Sequence, residues 1–93
     1  MKVSKQRSVD AAIRTLSEDD GRKVHAWLDH LANWENDEHV QKRSKRTGVD
    51  DVYVLNTSDD IRIFFKLNLQ DKEILVIDIA KPSRFEKAGV ASG

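Results

Sequence analysis

Hydrophobic positions follow two different periods, one in each half of the chain. Val9, Ala12, Ile13 and Leu16 recur at i, i+3, i+4 and i+7, the spacing of one helix face. Ser8 immediately precedes this run and is the expected N-cap. Ser17 opens a second helix with Glu18, Asp19 and Asp20 in its first turn. Ser-x-x-Asp resembles a capping box, and acids there complement the helix dipole. Val24, Trp27, Leu28, Leu31 and Trp34 supply its long apolar stripe. The two helices make a tight hairpin whose apolar faces require a partner surface. Asn36 breaks or restarts the helix. Beyond it, the pattern supports either a short third helix, anchored by Val40 and ended by Gly48 at C′, or a basic, loosely ordered connection.

The second half has period two. Val52 to Leu55 reads as a strand and Asn56 to Asp60 as a turn. Ile61, Ile63, Phe65, Leu67 and Leu69 then alternate with Arg62, Phe64, Lys66 and Asn68, which predicts a long two-faced strand. Gln70-Asp71-Lys72 turns the chain into a further strand from Glu73 to Ala80, and Pro82 ends it. A short strand is also expected within residues 2–7. Grouped helices followed by grouped strands give an α+β domain. The expected fold is one domain over 1–93, with the helical hairpin on one face of a mainly antiparallel sheet of three to four strands. The other face carries Arg62, Lys66 and Asp78 and stays open.

Composition narrows the class. The chain has 93 residues, no cysteine, and 16 basic residues against 16 acidic ones. Without cysteine there is neither a disulfide nor a thiolate metal site. The charged N-terminus does not resemble a signal peptide, and no apolar run approaches membrane-spanning length, so a soluble cytoplasmic protein is expected. Zero net charge argues against nucleic acid as the main partner, because phosphate neutralisation supplies most of such affinity. It leaves room for a local patch: Lys42, Arg43, Lys45 and Arg46 lie close together with no acid among them.

Candidate chemistry centres on Arg62, which lies opposite the apolar row of its strand. A guanidinium is a fixed, permanently charged fork suited to phosphate or to a transition state at phosphorus. The competing reading makes it a cross-strand partner of Asp78. The Lys42–Arg46 cluster either binds phosphates or an acidic protein, or is a solvated helix end whose charges suit the C-terminal dipole. His25, His30 and His39 lack metal-ligand spacing, and no glycine-rich phosphate loop occurs. No metal or other cofactor is expected. Trp27 and Trp34, seven apart, are read as core residues on one helix face. Tyr53 is read as packing on a strand with its hydroxyl hydrogen-bonded.

The stretch from Lys42 to Phe85 resembles the RelE/ParE family of bacterial type II toxins. It carries the family's pattern of a strand, a tight turn, a strand bearing an arginine (Arg62), a hairpin and a last apolar strand, Ile74 to Ile79, after a helical hairpin of matching length. The resemblance implies a toxin held inactive by a cognate antitoxin. RelE-like members are mRNA interferases that inhibit translation by cutting messenger RNA on the ribosome; ParE-like members act on DNA gyrase without nuclease activity. Carried onto this chain, the resemblance implies catalytic roles for Arg62, Lys45, Arg46, Arg84 and Lys81. It implies RNA- or antitoxin-binding roles for Lys42, Arg43, Lys66 and Phe85. One departure counts against the nuclease: no tyrosine follows Tyr53. Phe85 can stack on a base but cannot transfer a proton. Three readings stay open: a ribosome-dependent ribonuclease, a non-enzymatic gyrase inhibitor, and an inactive homologue that binds only an antitoxin.

Overall fold

The two-faced strands bury one face under the helices and leave the other to solvent. The computed structural model describes residues 1–58 and 60–81. Its elements run β1 (Lys2–Lys5), α1 (Arg7–Arg14), α2 (Glu18–Ala32), a 3-10 turn (Trp34–Asn36), α3 (Glu38–Lys42), β2 (Ser44–Arg46), β3 (Val52–Asn56), β4 (Arg62–Asn68) and β5 (Glu73–Ala80). The strands form one five-stranded sheet in the order β1-β5-β4-β3-β2. All pairs are antiparallel except β1 with β5, which is parallel.

The core lies between the helices and the inner face of the sheet. Val9 of α1 and Val24, Trp27, Leu28 and Leu31 of α2 are buried against Leu55, Ile63, Phe65, Ile74, Val76 and Ile79. Each aliphatic or aromatic side chain so buried contributes about 1.5–3 kcal/mol. Val40 is fully buried and anchors α3, whose N-cap Asp37 accepts a hydrogen bond from the Val40 amide at 3.0 Å. Ser17 caps α2 as expected, accepting from the Asp20 amide at 3.1 Å.

Several expectations are corrected. The N-terminal strand expected within residues 2–7 forms as β1, and the sheet reaches five described strands rather than three to four because the basic connection also supplies β2. The third helix stops at Lys42, so Gly48 is not its C′ residue. Gly48 lies in the β2–β3 turn with φ of 87°, a conformation that a Cβ disfavours. Ser8 is inside α1, whose N-cap is Gln6. Trp34 leaves the α2 face: the helix ends at Ala32, and the 3-10 turn swings the indole toward Tyr53 and Phe65. Leu69 lies beyond β4 and is exposed.

Candidate functional site

Register arranges the open face in rungs. Arg62 stands opposite Asn56 on one side and Ala80 on the other. The next rung is Lys45–Val54–Phe64–Asp78, and the next is Val52–Lys66–Leu75. Arg62, Phe64 and Lys66 therefore follow one another on the solvent side of β4, with Lys45 two strands away. Four residues of strand separate the Arg62 and Lys66 backbones by about 13 Å, and two strand spacings put Lys45 about 10 Å from Phe64. Arg62, Lys45 and Lys66 are exposed, while Val54, Phe64 and Leu75 are half-buried. The face is thus a short apolar strip with cations around it.

The Arg62–Asp78 pair does not form. Asp78 is one rung away, opposite Phe64, and its Oδ1 accepts from the Ile79 amide at 2.8 Å. Among the described residues the Arg62 guanidinium has no hydrogen-bond or ion-pair partner. Among the described residues the acids on the strands of this face are Asp78 and, at its far corner, Glu73, which lies opposite Lys2.

The remaining basic candidates are dispersed. Lys45 and Arg46 are adjacent on β2 and so point to opposite faces. Arg46 lies 5.7 Å over the Tyr53 ring on the helix side, where Tyr53 stacks on Phe65 at 5.6 Å. Among the described residues the Tyr53 hydroxyl makes no hydrogen bond, so its expected partner is not found there. Arg43 donates from Nη1 to the Asn56 carbonyl at 3.2 Å and lies 6.0 Å from the Trp27 ring centre. Lys42 ends α3 and is exposed. The expected four-residue cluster is therefore divided between two faces and a helix end, and only Lys45 joins Arg62 and Lys66.

Lys81 is engaged elsewhere: its amine pairs with the Asp20 carboxylate at the start of α2. The hydrogen bond from Lys81 holds the Asp20 carboxyl below its ordinary value of 3.8, against burial, which pushes the other way. Arg84 and Phe85 lie outside the described residues. His30 Nδ1 bonds Asp37 Oδ2 at 2.7 Å, and this contact, followed by the Val40 amide, lowers the Asp37 carboxyl. His39 stacks on Trp27. Among the described residues no three His, Asp or Glu side chains gather as a metal site. No described helix is long and apolar enough to cross a membrane.

Two side chains escaped the sequence reading as site residues. Phe64 carried a signal, being an aromatic in the polar half of an alternating strand. Asn56 carried none, because its place beside Arg62 depends on the β3–β4 register.

No protein-family model matches the chain, and no curated protein matches it in sequence. Solved structures do match in fold. The archaeal RelE-RelB complex from Pyrococcus horikoshii OT3 matches with a TM-score of 0.68 and 22% identity, over 89% of this chain and 96% of that one. The RelBE toxin-antitoxin complex of E. coli matches at 0.67 and 15% identity, over 86% and 94%. The isolated E. coli RelE toxin matches at 0.66 and 16%, over 86% and 82%. Strand order, helical layer and open face thus combine into a known architecture: this chain has the fold of the RelE toxins.

Proposed function

We propose that the chain is the toxin of a toxin–antitoxin pair, a cytoplasmic protein acting as one domain over its whole length on translated messenger RNA, with Arg62 at the centre of its working surface. The observation that carries this reading is the position of Arg62. It is exposed at the start of the central strand β4, in the end rung of an open sheet face, without a partner among the described residues, on the same face as Lys45 and Lys66 and on a RelE-type fold. Such a permanent cation can stabilise charge on a phosphate as a neighbouring 2′-hydroxyl attacks it. Lys45 or Lys66 would hold flanking phosphates or donate a proton to the leaving oxygen. Arg84 and Phe85 follow β5 in sequence; Arg84 is a further candidate for holding a phosphate, and Phe85 for stacking on a base. Two of the similar structures are complexes with RelB or its archaeal counterpart, which supports a small antitoxin as partner. An acidic antitoxin segment would be drawn to the same cations.

A second reading is favoured by one observation. Among the described residues this face has no imidazole, and the Asp78 carboxylate is already hydrogen-bonded. A non-enzymatic inhibitor of DNA gyrase needs no proton-transfer group. Induced expression followed by mapping of transcript ends separates the two. The ribonuclease predicts new ends within translated codons. Intact transcripts with a DNA-damage response would replace it with the gyrase reading.

A further inference from the structure

We infer that Phe64 is a stacking platform for one base of a single-stranded RNA, with the Asn56 carboxamide beside it reading a base edge or a 2′-hydroxyl. This rests on the RNA reading above and deepens it. Phe64 occupies a solvent-side position of a central strand, between Arg62 and Lys66 on the same face. Burial gives little reason for an aromatic there, since the core lies on the other face. Val54 and Asp78 flank the ring on the neighbouring strands. A half-buried aromatic ring on the solvent side, with cations on either side along its strand, suits a nucleobase whose adjoining phosphates reach those cations.

Asn56 supplies the polar reader. Its backbone is committed, the amide donating to the Arg43 carbonyl at 3.0 Å and the carbonyl accepting from Arg43 Nη1 at 3.2 Å. Its side chain has no partner among the described residues, is half-buried, and stands opposite Arg62. An amide can donate and accept at once, as a base edge or a 2′-hydroxyl requires.

Charge and shape favour RNA over a protein helix. A docking helix needs a continuous apolar stripe, whereas the solvent side of β4 alternates cation, ring, cation. Three cations neutralise few phosphates, so the strand bound is short, and a duplex would keep its bases stacked away from the ring. For a single strand, three contacts give a slope of log affinity against log salt of about −2.

The test is binding of a short fluorescent uridine-rich RNA, measured by anisotropy with the purified full chain, together with ultraviolet crosslinking and peptide mapping. The wild type should bind with the shallow salt slope and crosslink through the peptide containing Phe64. Phe64→Leu should bind at least about fivefold more weakly, and Phe64→Tyr within about twofold of wild type, with both variants melting as cooperatively as wild type. If Phe64→Leu binds like wild type while Arg62→Ala weakens binding, the stacking inference is overturned and the RNA reading stands. If the wild type binds no RNA, both fall. Equal affinity for the same sequence as DNA, or loss of a co-purifying acidic protein in Phe64→Leu without any effect on RNA, overturns the assignment of this face to RNA.

Discussion

Asp20 occupies the capping-box position after Ser17, yet its carboxylate serves a different contact. The Ser17 hydroxyl accepts from the Asp20 amide, as the local pattern requires, while the carboxylate turns to Lys81, 61 residues further on. The cap was legible because it depends on neighbours in sequence; the ion pair was not, because it depends on where β5 ends. Lys81 keeps 28% of its side chain exposed and can rehydrate if its partner is removed. Asp20→Asn should therefore cost about 1–2 kcal/mol, less than the roughly 3–5 kcal/mol of a fully buried broken pair. Asp20 and Asp37 share a pH signature. Both folded-state values lie below 3.8, so the unfolded chain binds these protons more readily. The stability they contribute is complete above that value and disappears as pH falls through the lower folded values. Urea midpoints measured down to pH about 3 should fall for the wild type, and fall less for the Asp20→Asn, Asp37→Asn double variant. Parallel curves would contradict the assignment.

The β3–β4 connection depends on a side chain that composition hides among turn formers. Thr57 is buried, its hydroxyl donates to the Ile61 carbonyl at 2.8 Å, and it accepts from the Ile61 amide at 3.2 Å. These bonds fix the register that puts Arg62 opposite Asn56. Thr57→Val keeps the shape and strands the Ile61 amide, which should cost about 1–3 kcal/mol. Chemical denaturation should show a lower midpoint with an unchanged slope; an unchanged midpoint would mean the turn holds by its backbone alone. β4 and β5 were legible because their alternation is long. β1 and β2 are four and three residues, too short for alternation to register. β1 is fixed instead by the edge of β5, and β2 by the ladder that continues from the Asn56 amide to the Arg43 carbonyl.

Zero net charge conceals a separation of charge across the molecule. The acidic clusters lie in the helical layer, at the start of α2 and around the 3-10 turn and α3, while Lys45, Arg62 and Lys66 stand on the open sheet face. Overall charge therefore underestimates what that face can bind, and a count along the sequence overestimates the Lys42–Arg46 run, which the β2 pleat divides. The α+β architecture and the outward direction of Arg62 could be read from periodicity. The separation of Arg62 from Asp78 could not, since it follows from the β4–β5 register and its irregularity between Phe64 and Phe65. The most direct measurement is growth after induction of Arg62→Ala, at soluble levels matched to wild type and with melting curves of both proteins. An exposed arginine without a partner among the described residues predicts relief of growth arrest with stability changed by no more than about 0.5 kcal/mol. Undiminished arrest by a variant that melts like wild type would contradict the open face around Arg62 as the working surface.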